Sequence, residues 1–434
     1  MKKSVLASLL LFTISIFSLN IYAQDNEWVN QVIVVNSGKY ESATPFLDYV
    51  TVQSYNPASQ QTNVFGTIYT QSAQDIIING NRAYIAAQDS IIMYNLDTYQ
   101  RVAAIADSGL SKLCIYHNKL IVTKQWPVTR FFVEILDATN LALLARVQNI
   151  SGDCGGATYD KDTIYVAVTQ GYSGTEGRLA CIATDTWTVA REINFGTAAI
   201  GIWNLYNYNG SIFSINRTPY GSGLVGSITN YNLYSRTFEN KVLSANIGDG
   251  CGIRDNLLYL KYNGGIGAFD MNSNTMANTS VIEPPMAINV FINSGAIDYL
   301  DGKLYLQYGN RPPTFGIGIV ASSQTGDSLT SYPTGINAES VAIDYRTPVG
   351  IDPVLTNQQS LTLYPNPVSD FLSISFNKPA GLVKILDLTG RTVYENSDIS
   401  GSNIRIDCTN FPSGIYFVSL QSETGKITRK FIKQ

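Results

Sequence analysis

Apolar positions between residues 28 and 346 fall in short bursts that keep repeating one sentence. A short apolar strand is followed by a turn, an apolar or aromatic strand, a loop, and a strand that ends near Asp or Asn. The turns are Asn79-Gly80-Asn81, His117-Asn118-Lys119, Asp160-Lys161-Asp162, Asn209-Gly210, Asp255-Asn256 and Asp301-Gly302-Lys303. Tyr84, Leu120, Tyr165, Phe213, Tyr259 and Tyr305 mark one register in the strands that follow, at spacings of 36, 45, 48, 46 and 46 residues. Periods of this size with several strands each indicate propeller blades.

Counting predicts seven blades. The segment 32–36 is a post-turn strand with no partner before it, and 340–345 is a pre-turn strand with no successor. Each supplies the other's missing half, so the chain is expected to close its ring by pairing them in one composite blade, which removes open strand edges. The fold class predicted is therefore all-β, a seven-bladed β-propeller over residues 28–346, with a Pro- and Gly-bearing linker over 347–360. Asp97, Asp137 and Asp185, each ahead of Thr or Ala-Thr, are expected to bond their own backbone two residues on and make the turn after a blade's third strand. These phrases resemble the surface-layer and quinoprotein-like seven-bladed propellers, including those on Bacteroidota cell surfaces; the resemblance supports the fold far better than any activity.

The two ends read differently. Met1-Lys2-Lys3, an apolar run over 5–21 and the small residue Ala23 form the pattern of a secretory signal peptide over residues 1–23, with no cysteine at the cleavage point for a lipid anchor. From residue 361 the motifs are Leu363-Tyr364-Pro365-Asn366-Pro367, then Leu386-Asp387-Leu388-Thr389-Gly390-Arg391, then Pro412-Ser413-Gly414-Ile415-Tyr416, closing on Lys430-Phe431-Ile432-Lys433. This order resembles the C-terminal sorting domain of the type IX secretion system, which carries proteins across the outer membrane of Bacteroidota. The resemblance implies a secreted or cell-surface protein that passes through the periplasm and is handled by that machinery, with no transmembrane segment in the mature chain. The residues also stand on their own: Leu372, Ile374 and Phe376 alternate with Phe371, Ser373 and Ser375, and short strands at such spacing predict an immunoglobulin-like β-sandwich over 361–434.

Charge narrows the partners. Residues 25–345 hold 18 basic and 26 acidic side chains, a net of 18 − 26 = −8, so bulk electrostatics exclude nucleic acid. Five scattered cysteines are too few for a disulfide framework and are expected as buried small apolar residues. The single histidine, His117, sits in a turn, so His clusters for metals or acid–base pairs cannot be assembled. Asp160 and Asp162 lack further oxygen ligands at regular offsets, and Gly155-Gly156 and Gly264-Gly265 lack a strand-to-helix setting for phosphate. No cofactor, metal or catalytic residue is assigned.

Loops carry the remaining signal. Those after the second strands vary sharply: 38–46, 125–130, 170–177, 217–224 and 309–315 are long, whereas 88–90 and 263–265 are tight. One face is thus built up and rich in residues that bind. Tyr40, Trp126, Arg130, Tyr172, Arg178, Arg217, Tyr220, Tyr308 and Arg311 fall in or beside these loops, and Trp203 precedes an innermost strand. The function expected is a secreted or surface non-catalytic binding protein whose loop-rich face holds a small ligand, a glycan or a protein partner. The alternatives are a secreted propeller enzyme, such as a lyase or glycosidase, which the single His and the lack of a placeable carboxylate pair weaken, and a purely structural or adhesive protein.

Overall fold

The structure, a computed structural model, describes residues 27–38, 48–171, 174–219, 223, 226–311, 313–347, 361–376, 381–397, 399, 401–422 and 425–434. The leader, and the linker beyond Thr347, lie outside them. The chain forms two compact units, residues 1–347 and 348–434.

Among the described residues of the first unit stand seven four-stranded antiparallel sheets. Their first strands are Ala338–Arg346, Asp75–Asn79, Leu110–Tyr116, Cys154–Asp160, Ile202–Tyr208, Ile247–Arg254 and Val290–Ile297, for blades 1 to 7 in that order. Each touches the first strand of the next blade, right round to the start. Close approach is needed here, and glycine permits it: a Cβ on Gly155 of blade 4 would stand 2.7 Å from the Trp203 carbonyl oxygen of blade 5. The Gly155-Gly156 pair is thus a packing feature.

Second strands are apolar without interruption because neighbouring blades cover both of their faces. In Trp28–Asn36, Val32 and Val34 pack with Tyr305, Val320 and Tyr332 of blade 7, while Ile33 and Val35 pack with Ile76 and Ile85 of blade 2. Successive side chains therefore serve two different cores. Each such side chain taken fully out of water contributes about 1.5–3 kcal/mol. Fourth strands such as Arg101–Ala106 close the rim; three of that strand's six residues are exposed and none is buried.

The composite blade forms as the half-strand count predicts. Val32, Ile33, Val34 and Val35 face Ile343, Ala342, Val341 and Ser340, and the sheet runs on through Val50–Asn56 and Gln61–Ile68. Asp344, fully buried, pins the seam by accepting from Gln31 Nε2 at 2.9 Å, Asn30 Nδ2 at 3.0 Å and Arg346 Nε at 2.6 Å. Tyr55 of this blade and Tyr332 of blade 7 stack at 3.9 Å between the two blades.

One turn expectation needs correction. Asp137 does accept from the Thr139 N–H, at 2.7 Å. After the third strand of blade 2, however, Asn95 makes the turn, its Oδ1 accepting from the Asp97 and Thr98 N–H groups at 2.8 and 3.0 Å. Asp97 is instead the ion-pair partner of Arg346, at 2.9 Å. Asp185 accepts only from its neighbour's hydroxyl, Thr186 Oγ1, at 3.2 Å, and the turn there closes through the backbone, Trp187 N–H to the Ala183 carbonyl. The turn-making oxygen belongs to the residue that ends the strand, which in blade 2 is two positions earlier than Asp97.

The second unit is a sandwich. One sheet holds Leu361–Tyr364, Phe371–Phe376 and Asn403–Asp407; the other holds Thr392–Asn396, Leu382–Asp387, Gly414–Ser422 and Gly425–Lys433. Leu372, Ile374 and Phe376 enter the shared core with Val383, Ile385 and Val418, as the alternation predicts. All five cysteines are unbridged and buried.

Candidate ligand-binding site

A cavity of about 660 Å³ opens on the face where first strands begin and second strands end. Among the described residues, six of the seven blades contribute to its wall. A single local device aims many of these side chains. Near the start of their first strands six blades slip register: blade 4 between Cys154 and Ala157, at its packing glycines, and blades 1, 3, 5, 6 and 7 between Val35 and Asn36 opposite Glu339, between Leu110 and Leu113, between Ile202 and Asn204, between Ile247 and Gly250, and between Ile292 and Ser294. Glu339, Lys112, Trp203, Asp249 and Asn293 occupy these bulges. A bulge breaks the two-residue alternation and re-aims the extra side chain, here into the cavity.

Opposite charges are interleaved at the floor. Lys112 Nζ lies 3.2 Å from Asp75 Oδ1 and 4.0 Å from Asp249 Oδ2. Arg217 Nη1 lies 3.2 Å from Asp249 Oδ1, and its guanidinium sits 3.7 Å over the Trp203 ring. Lys261 Nζ donates to the Asn293 carbonyl at 2.9 Å. Burial alone would raise the Asp249 carboxyl, but Lys112, Lys261 and Arg217 outweigh it and hold the group down at about 2. Burial raises Asp75 even though Lys112 and the Leu113 N–H oppose it. Burial pushes the neighbouring Cys251 thiol up to about 12, so it keeps its proton at neutral pH and offers no nucleophile. Three lining atoms, Trp203 Nε1, Asn293 Nδ2 and Ser111 Oγ, are buried with no hydrogen-bond partner among the described residues.

Asp249 gives a signed pH prediction. Its folded value near 2 lies below the unfolded value of about 3.9, so its stabilisation is complete above pH ~4 and is lost as pH falls from ~4 towards 2. Asp75, shifted the other way, acts with the opposite sign. Comparing melting temperature from pH 6 to pH 2 in the native chain and in Asp249→Asn isolates the first term. The variant should show the shallower acid decline; parallel curves would contradict the ion-pair assignment.

Of the loop residues singled out from sequence, Trp203, Arg217 and Arg311 line this cavity. Arg311 lies 5.6 Å over the Phe291 ring. Trp126 is 78% exposed and stands outside the lining, which takes its neighbour Gln125 instead. Arg130 rests 5.1 Å over Phe131. Arg178 donates from Nε to Glu176 at 2.9 Å and lies 3.8 Å from Glu192, on the third strand of blade 4. Tyr308 packs against the core between blades 6 and 7. Tyr40, Tyr172 and Tyr220 fall outside the described residues. His117 is exposed in its turn, edge-on to Tyr116. Lys112, Asp249, Lys261, Asn293 and Glu339 were not singled out. The signal for Asp249 was present in Gly248-Asp249-Gly250, since glycine inside a strand pattern marks a bulge.

Residues 362–434 match the secretion system C-terminal sorting domain family. The protein is thereby marked for export by the type IX secretion system, to the cell surface or beyond it. No helix among the described residues is long and apolar enough to cross a membrane. No curated protein matches the sequence. Among solved structures, the chain is similar to a quinoprotein alcohol dehydrogenase-like protein from Bacteroides thetaiotaomicron, at 13% identity and TM-score 0.52, covering 73% of this chain and 79% of that one. The WD40 repeats of RRP9 align at 11% identity and TM-score 0.48, covering 70% and 87% of the two chains. Hydrazine synthase of Kuenenia stuttgartiensis aligns at 12% and 0.48, covering 65% and 89%. At these identities only the propeller fold carries over, and it rests on the first of the three.

Proposed function

We propose that this is a non-catalytic binding protein of Bacteroidota, made with a cleaved leader over residues 1–23 and exported by its tail, which holds a small ligand in the cavity on the built-up face of its propeller. The observation that carries the reading is the set of register slips that turn Lys112, Trp203, Asp249, Asn293 and Glu339 out of the pleat and towards one space. Six blades carry such an irregularity; in blade 4 it holds the packing glycines Gly155 and Gly156, and in the other five it interrupts the ladder and turns out a charged, amide or aromatic side chain that lines the cavity. Asp249 is committed to Arg217 and Lys112, which fits holding better than proton transfer.

The test is a thermal-shift screen of the mature chain against a panel of glycans and small organic anions. A ligand at about 100 times its dissociation constant stabilises by ~2.7 kcal/mol. Replacing Trp203 or Arg217 by Ala should then cost at least ~2 kcal/mol of binding, roughly thirtyfold in affinity. Asn118→Ala and Asp160→Ala, in turns at the other ends of their strands, should leave affinity unchanged. Equal losses from both pairs would place the binding elsewhere.

A further inference from the structure

We infer that the ligand is an acidic saccharide, its acid group taken by the sector of the cavity that blades 5, 6 and 7 supply; the inference rests on the binding reading given above. Charge is the first observation. Four cations, Lys112, Lys261, Arg217 and Arg311, meet three carboxylates, Asp249 and Glu339 in the lining and Asp75 at the floor beside Lys112, a local net of 4 − 3 = +1. The surrounding residues 25–345 are net −8, so the cavity runs against the background of its own domain.

The cations are also unequally occupied. Lys112 sits between Asp75 and Asp249 and is consumed by the floor. Lys261 and Arg311 have no carboxylate within 4.0 Å among the described residues. Lys261 spends one donor on the Asn293 carbonyl and keeps two. Arg217 commits Nη1 to Asp249 while Trp203 holds its plane flat, so the rest of its fork is pre-organised. Arg311 makes a looser contact with the Phe291 ring, 5.6 Å from its centroid, on the far side of blade 6. Guanidinium forks held on aromatic rings, with an ammonium between them, suit a carboxylate or sulfate oxygen.

The rest of the wall argues for sugar hydroxyls around that acid. Side-chain amides from Gln74, Gln125, Asn293, Asn310 and Asn337 line the cavity, each but Asn293 already holding one or more bonds within the protein and keeping its remaining capacity. An amide both donates and accepts, as a hydroxyl does. The unpartnered Trp203 Nε1 and Asn293 Nδ2 are buried donors without a partner among the described residues, and such a donor destabilises until it is met. A largely apolar ligand would leave both donors and the cations unmet. A volume of about 660 Å³ is within the range of small-ligand sites.

The experiment is calorimetric titration of the mature chain with trigalacturonate, with a sulfated trisaccharide and with neutral galactotriose, at low and high salt. An acidic sugar should bind at least about tenfold tighter than the neutral one and weaken as salt rises. Arg311→Ala and Lys261→Met should each lose about tenfold for the acid and distinctly less for galactotriose. Melting curves of both variants check their folding, and Arg311, being exposed, keeps the test informative if Lys261→Met fails to fold. Binding of the sulfated sugar alone supports the acidic class and assigns sulfate as the acid group. Galactotriose binding as tightly as the acids overturns the inference yet leaves a cavity binder, provided Trp203→Ala abolishes it. Tight acid binding that survives Trp203→Ala and Arg217→Ala overturns both readings, and no binding by any of the three sugars overturns the acidic-saccharide inference.

Discussion

A mature chain that stops at Ile336 should melt far below one that stops at Thr347 and should self-associate. The eleven residues of difference contain the strand Ala338–Arg346, the inner neighbour of Trp28–Asn36. Without it, Val32 and Val34 lose the cover of Val341 and Ile343, and the Asn30 and Gln31 amides lose Asp344. Exposing two or three such side chains costs about 1.5–3 kcal/mol each, so the loss should exceed ~3 kcal/mol. Trp28–Asn36 would also present an unpaired edge, a template for another chain. Urea denaturation and sedimentation of the two chains check this. Equal midpoints with both chains monomeric would show that the seam between Trp28–Asn36 and Ala338–Arg346 does not close the ring.

Deleting residues 361–434 should abolish appearance at the cell surface while leaving the propeller folded. Each unit has its own core: Leu372, Ile374, Val383, Val418 and Phe431 fill the sandwich, and the seven inter-blade clusters lie within the other unit. The sorting-domain match covers residues 362–434 alone. The truncated protein should accumulate in the periplasm, protected from protease added to intact cells and melting as the isolated unit does. Surface exposure at the native level would contradict export through the tail.

Much of the fold was legible because its physics is local or countable. Second strands announce themselves by apolar runs, since blades cover both faces. The composite blade could be read because two half-copies can only complete each other. The site was less legible, because the bulges that aim Lys112, Asp249 and Asn293 depend on how two strands pair, which no single strand reveals. Tyr308 shows the converse. Its strand runs on to Asn310, so a residue read as lying beside a loop belongs to the blade and meets its core. Arg217 was found as a loop residue and Trp203 as one preceding an innermost strand, each with binding chemistry, but their contact at 3.7 Å is a product of the ring.

Hydrogen exchange of the mature chain, with and without the ligand that stabilises it most in the glycan and anion panel, tests the central claim directly. The account predicts slowed exchange in the backbone around Trp203, Arg217, Asp249, Lys261 and Asn293, with the turns at His117-Asn118, Lys161-Asp162 and Asn209-Gly210 unchanged. Protection confined to those turns or to residues 361–434, or a panel in which no compound raises the melting temperature, would contradict it.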